Sequence, residues 1–362
     1  MRALSGIRVT FLAHVEACRP DTIFYAGTVG LSGAVLTDSD ADPRLLVLAW
    51  LVPTLAWIAS LYGGDYFDRE LDALTKPHRP VPSGRIRAGT ARNLMILLIG
   101  AGGILAVLVN PLTIVLAAVA TVFGIAYARW LKGRGLWGNI VRGLPTALTL
   151  LYGSMTVQTL PAVELAALAL MFWIHDSGSN LLGALCDRDG DRRGGYLTYP
   201  VLRGDAATVR GLTGFFVGWV VLGLAWPVLA GDDVSLPIYY AGLLAAVALG
   251  GVSLVSVVRT TRPIARAVGL RAHEIIVVER LLLGSYLIAA AGRVGLAVLV
   301  AGPSLVLTVT ARMLMRSRYE PAPEAGRMAE SGPGTRPPDG HAVVSEFRGW
   351  PPLNKPRTSS WE

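Results

Sequence analysis

Long apolar runs recur along the chain with basic, polar intervals between them. Leu94–Val109, Ile114–Tyr127, Gly211–Leu229 and Ile238–Val258 contain no charged residue. Runs of this kind suit helices crossing a hydrocarbon core, which needs about 20 residues. Open strands are excluded, because their backbone groups would go unpaired in lipid. The pattern predicts crossings at about 21–36, 45–62, 93–109, 112–130, 143–160, 163–181, 211–230, 237–258 and 279–300. A last apolar stretch, Ala301–Met315, carries Gly302–Pro303 near its start and Arg312, Arg316 and Arg318 around its end. It either extends a kinked ninth helix or forms a tenth crossing. The expected fold is an all-α membrane protein, a polytopic bundle of nine or ten transmembrane helices.

Composition agrees. Of 362 residues 52% are hydrophobic and 16% charged, against about 25% charged in soluble domains. The net charge of +8 does not call for nucleic acid, because the arginines sit in short loops where they orient the chain. Arg79, Arg85, Arg87 and Arg92 follow the second crossing; Arg129, Lys132 and Arg134 follow the fourth. Arg188, Arg192, Arg193, Arg203 and Arg210 follow the sixth, and Arg259, Arg262, Arg266 and Arg271 the eighth. The opposite loops are short or acidic, as in Thr37–Pro43 and Gly231–Leu236. All four basic loops therefore fall on one side, the cytoplasmic one. Met1–Arg19 lacks the apolar core and cleavage site of a signal peptide, so the first crossing is expected to be its own anchor. Cys18 and Cys186 suggest neither a disulfide framework nor a metal cluster. The expected division is a cytoplasmic segment 1–20, a membrane domain 21–315 and a disordered Pro-, Gly- and Ser-rich tail 319–362.

Two of the basic loops also hold dense carboxylates. In Gly64-Asp-Tyr-Phe-Asp-Arg-Glu-Leu-Asp72, residues Asp65, Asp68 and Asp72 are spaced i, i+3 and i+7, one face if the second crossing continues as a helix. In the second loop Asn180, Asp187 and Asp191 are spaced i, i+7 and i+11, again one face. Stacked like charges repel unless cations hold them. Magnesium prefers oxygen ligands and reaches proteins through one or two carboxylates plus substrate phosphates. Two such faces opposed at a bundle mouth would hold Mg2+ and a diphosphate, with Lys76, Arg79 and Arg192 neutralising the remaining phosphate charge.

The run Gly64–Asp72 followed by Lys76-Pro-His-Arg-Pro-Val-Pro-Ser-Gly84 resembles the first aspartate-rich motif of UbiA-type intramembrane prenyltransferases. Its Arg-Pro-x-Pro-Ser-Gly ending is similar to the chlorophyll synthase and homogentisate prenyltransferase branch. Asp187-Arg-Asp-Gly-Asp191 and Thr198-Tyr-Pro-Val-Leu-Arg-Gly204 are similar to the second motif. The resemblance covers about residues 15–300. It implies nine helices around a central cavity that opens to lipid. It also implies that Asp68, Asp72, Asp187 and Asp191 surround Mg2+ and the diphosphate; with glycine at position 64, either Asp65 or water completes the metal shell, or the chemistry is altered. Lys76 and Arg79 match phosphate-contacting positions, Asn180 a position often acidic or Asn, and Asn139 a polar position near acceptor or diphosphate. Arg19-Pro20 resembles the Arg-Pro that precedes the first crossing. The family's first motif normally opens with Asn where this chain has Gly64.

The expected activity is Mg2+-dependent transfer of an isoprenyl group from its diphosphate to an aromatic or other lipophilic acceptor. Trp57, Tyr62, Phe67 and Trp173 are candidates to shield the allylic cation. The expected setting is a bacterial-type plasma membrane with both motifs cytoplasmic. Two alternatives are a membrane terpene cyclase working without acceptor and a transporter. The transporter fits poorly, since transporters place ionisable groups in broken helices at the midplane.

Overall fold

The computed structural model describes residues 2–230 and 234–319. Among the described residues thirteen α-helices follow one another: α1 Arg2–Ala17, α2 Phe24–Thr37, α3 Pro43–Phe67, α4 Arg69–Thr75, α5 Ala88–Val109, α6 Thr113–Ala126, α7 Leu136–Val157, α8 Ala166–Arg193, α9 Tyr199–Ala225, α10 Pro227–Ala230, α11 Leu236–Val258, α12 Arg266–Ala290 and α13 Val294–Tyr319. Met1–Leu314 is one compact unit; of a second, Met315–Glu362, the described residues 315–319 are helical. The tail expected to be disordered lies outside the described residues from 320 onward, as do Asp232 and Asp233.

Among the described residues six helical segments are long and apolar enough to cross a membrane, including Pro43–Phe67, Thr113–Leu131 and Val294–Leu314. α2 is too short for that test, at 14 residues. α7, α8 and α12 carry Arg142, Asp176 and the Glu279–Arg280 pair inside their apolar sequence. All three of these helices contribute to the site described below, alongside the more apolar α3, α5 and α6.

α2 packs against α3, α7 and α12, and only glycine permits the approach. A Cβ on Gly33 would lie 2.0 Å from the Leu150 carbonyl oxygen, and one on Gly153 1.8 Å from that of Gly30. Small residues let membrane helices touch backbone to backbone, where dispersion replaces the missing hydrophobic drive. Around this seam Phe172, Trp219, Trp226, Tyr239 and Leu283 form one buried cluster, while Leu97, Leu108 and Val122 face outward as lipid contacts would.

One expected crossing is misplaced. The ninth was expected at 279–300, but α12 stops at Ala290 and α13 starts at Val294. Gly292 takes φ +85°, and the Arg293 amide donates to the Ile288 carbonyl at 3.2 Å. This closure, with a left-handed glycine, is how helices commonly end. Ala301–Met315 therefore belongs to a separate long helix rather than to a kinked extension.

Candidate active site

α3 begins under control of Asp42, whose side chain accepts from the Arg44 amide at 2.7 Å, with Pro43 in the first turn. It ends at Phe67. Asp68 leaves helical geometry (φ −86°, ψ 2°) and α4 starts at Arg69. The break separates three aspartates expected on one face. Asp65 and Asp72 are buried and turn to Arg79, whose Nη1 lies 2.6 Å from Asp72 and 3.9 Å from Asp65. Arg19 adds a 3.2 Å contact to Asp65. Asp68 instead lines a cavity and accepts from Lys132 Nζ at 2.6 Å.

α8 has 28 residues, a length of about 42 Å at 1.5 Å per residue. It outruns a hydrocarbon core of about 30 Å, which fits its last turns reaching the interface. Here the expected shared face is present: Asn180, Asp187 and Asp191 all line the same cavity, joined by Asp176. Lys76 Nζ donates to Asp187 at 2.8 Å. Arg192 does not join them. It follows Asp191 by about 100° of helical turn and is exposed, off the cavity wall; the expectation that it meets phosphate is corrected.

Two local devices bring further groups in. Tyr127–Leu131 forms a π-helical turn, closed by the Lys132 amide on the Tyr127 carbonyl at 2.9 Å. It sets both Tyr127 and Lys132 on the cavity, a use of π-turns common at functional sites. A short parallel pair, β1 Arg134–Gly135 and β2 Leu197–Thr198, ties the loop before α7 to the one after α8. Asn139 Nδ2 donates to Asn180 Oδ1 at 2.8 Å, and the Tyr127 hydroxyl lies 3.4 Å from Asn180 Nδ2.

The cavity measures about 430 Å3, within the range of small-molecule sites. One end carries Asp68, Asp187, Asp191, Lys76, Arg79 and Lys132. Much of the remaining wall is apolar, from Val52, Ala56, Ile99, Leu116, Ile125 and Leu148. Burial works against the charge on Lys132, but Asp68, Tyr127 and Asp191 together more than offset it, so the ammonium is held above its ordinary pKa. Of the four aromatic candidates, Trp57 and Phe67 line the cavity. Tyr62 is taken up by His14 at 2.8 Å, and the Trp173 indole donates to the Ile140 carbonyl at 2.7 Å.

Among the described residues no three His, Cys, Asp or Glu side chains gather closely enough to hold a metal ion. The donor set still fits magnesium, which takes one or two carboxylates and completes its shell with phosphate and water. Asp68 Oδ1 is buried without a hydrogen-bond partner, an oxygen for which a ligand is missing. Gly64 also lines the cavity, and a Cβ there would meet nothing within 4 Å. A side chain at position 64 would therefore enter open cavity space.

Residues 25–272 match the UbiA prenyltransferase family. The chain belongs to that family. With its apolar helices, this makes it an integral multi-pass membrane protein. It is 35% identical over 193 residues to the digeranylgeranylglyceryl phosphate synthase of Korarchaeum cryptofilum, covering 52% of this chain and 66% of the relative. It is also 35% identical over 206 residues to the enzyme of the same name from Ignicoccus hospitalis, covering 55% and 65%. The chain thus spans just under two thirds of the length of these relatives. The fold is shared with a UbiA homologue from Archaeoglobus fulgidus bound to DMAPP and Mg2+ (TM-score 0.58, 16% identity, 77% of this chain and 99% of that one). A homologue from Aeropyrum pernix gives a TM-score of 0.57 at 14% identity, over 81% and 97%.

Sequence reading missed Tyr127, Lys132, Arg142, Asp176 and Arg280 on the cavity wall. Lys132 had been counted only as an orienting loop charge. Asp176 and Arg280 had a usable signal: ionisable residues inside expected crossings are seldom there without a partner or a role.

Proposed function

We propose that this chain is a Mg2+-dependent prenyltransferase that ionises an isoprenyl diphosphate at the charged end of the cavity and passes the prenyl group to a lipophilic acceptor. The observation that carries this is one cavity with three carboxylates and three cationic side chains at one end and an apolar wall beyond. That division matches the two halves of an isoprenyl diphosphate.

Asp68, Asp187 and Asp191 would hold the metal, which supplies positive charge where the leaving diphosphate becomes more negative. Asp65 and Asp72 are assigned to orienting Arg79 rather than to metal. Lys76 and Lys132 neutralise Asp187 and Asp68 in the free protein. With the diphosphate present, these ammonium groups turn to phosphate oxygens and release the carboxylates. Phe67, Tyr127 and Tyr152 in the wall offer polarisable surface to an allylic cation and help keep water out.

The names of the archaeal relatives add a glyceryl phosphate lipid to the aromatic acceptors considered from sequence. Arg312 near the end of α13 contacts Asp21, just before α2, at 3.1 Å. This favours ten crossings with both ends, and both aspartate motifs, on the basic cytoplasmic side. The test is mass spectrometry of products from membranes offered isoprenyl diphosphates of several lengths, with and without aromatic or glyceryl phosphate acceptors. Magnesium-dependent diphosphate release coupled to a prenylated product is expected. A cyclic hydrocarbon formed without acceptor, or no diphosphate release at all, would overturn the reading.

A further inference from the structure

The charged lining does not stop at the diphosphate end. Along α8 the cavity face continues from Asp187 through Asn180 to Asp176, about 16 Å deeper by helical rise. There Asp176 meets Arg280 in a close ion pair, takes a 2.9 Å hydrogen bond from Thr146 Oγ1, and stands 3.7 Å from Arg142. Both arginines line the cavity. Arg280 lies over the Tyr25 ring and Arg142 over the Trp57 ring, at 4.9 and 5.0 Å from the ring centres.

The cluster is unbalanced. Two guanidinium groups, which stay charged at any working pH, face a single carboxylate. The neighbouring Glu279 is already taken by His175 at 2.7 Å and does not line the cavity. Arg142 is too far from Asp176 for a hydrogen bond, yet Asp176 is the one ion-pair partner that Arg142 has among the described residues. Arg280 is 7% exposed, and its Nε is buried with no hydrogen-bond partner. An excess positive charge and an unmade donor at this depth are costly unless a ligand completes them. A prenyl tail, being hydrocarbon, gains nothing from either.

We infer that Arg142 and Arg280 form a second anion subsite, which takes the carboxylate or phosphate head of the acceptor and sets its nucleophilic atom toward the diphosphate end. This rests on the reading of the cavity as a prenyl-transfer site. Asn180 lies about 6 Å above Asp176 by helical rise, so a small acidic head held at the arginines leaves the rest of the acceptor near Asn139 and Asn180. Uncharged analogues of the same shape lack the group that completes the two guanidinium groups.

The test uses the full chain in lipid nanodiscs and calorimetric titration with two probe pairs. One pair is 4-hydroxybenzoate and 4-hydroxybenzyl alcohol; the other is 1-O-hexadecylglycerol phosphate and 1-O-hexadecylglycerol. At least one acidic probe is expected to bind about tenfold or more tightly than its neutral partner. Arg142→Gln is expected to remove that preference and Arg142→Lys to restore part of it. A preference in the benzoate pair alone identifies an aromatic acid, in the glycerol pair alone a phospholipid-like acceptor. Equal binding within both pairs, or an acid preference that survives Arg142→Gln, overturns the subsite. An unreactive thiolo analogue of geranylgeranyl diphosphate separates this from the parent reading. Its binding should fall in Asp187→Asn and persist in Arg142→Gln, which also shows that the latter is folded. If the wild type ignores the analogue while acid preference holds, the transfer reading fails and the anion subsite does not.

Discussion

Replacing Arg79 by methionine separates the two duties assigned to its guanidinium. The side chain is 24% exposed and holds Asp72, itself 3% exposed, at 2.6 Å. Asp65 keeps its 3.2 Å contact with Arg19, so Asp72 is the carboxylate left alone. Breaking a buried pair by removing one partner costs about 3–5 kcal/mol. The partial exposure of Arg79 puts this case at the lower end, about 3 kcal/mol. Asp72→Asn in the same chain removes the stranded charge, and the pair should show a coupling of about 2 kcal/mol in a double-mutant cycle.

Unfolding in mixed micelles titrated with a denaturing detergent, followed by helical circular dichroism, reads that coupling. Magnesium-dependent diphosphate release is measured on the same four proteins. Arg79→Met and the double variant should both lose release, while only the double variant regains stability. Arg79→Lys should keep most of the stability and lose most of the turnover, since an ammonium lacks the planar fork that can serve a carboxylate and a phosphate together. Additive stabilities would refute the assignment of Asp72 to Arg79. Normal turnover in Arg79→Met would refute the phosphate contact.

Asp68→Ala and Asp187→Ala should each abolish magnesium-dependent diphosphate release, with helicity and membrane insertion retained; near-normal turnover in either sinks the two-motif site. Gly64→Asn places an amide in open cavity space and should maintain or raise apparent magnesium affinity in a metal titration of diphosphate release, a fall in affinity arguing that the space itself is needed. Gly153→Ala forces a Cβ to within 1.8 Å of the Gly30 carbonyl oxygen. With backbone on both sides it should destabilise at the upper end of about 1–3 kcal/mol, seen as a lower thermal midpoint in detergent; an unchanged midpoint would contradict the contact.

The sequence showed the fold because membrane crossings need long uncharged runs, and most of the bundle obeys. It failed at 279–300 because the turn after Ala290 is built from Gly292 and one arginine inside an apolar stretch, too little to register as a loop. The second motif was legible, since Asn180, Asp187 and Asp191 keep helical spacing in an unbroken helix. The first was only half legible. Its spacing assumes a continuous helix, and the break at Asp68 comes from backbone geometry that no residue type in Asp-Tyr-Phe-Asp announces. Lys132 was hidden for a related reason: only a π-turn brings it level with Asp68.

That break at Asp68 is also what divides labour in the motif. An unbroken helix would set Asp65, Asp68 and Asp72 in one stack, and three like charges at that spacing repel. Turning Asp68 out of the helix leaves Asp65 and Asp72 to share Arg79 below the surface and gives the cavity one carboxylate from this motif. The second motif supplies two more, Asp187 and Asp191, from a straight helix. Each of Asp68 and Asp187 already holds an ammonium group, so neither of these two carboxylates is stranded in the free protein. Under the proposed function, a diphosphate and its metal would replace those internal partners with external ones. A site arranged in this way can remain folded when empty and still present both signs of charge, as the proposed metal and diphosphate together would require.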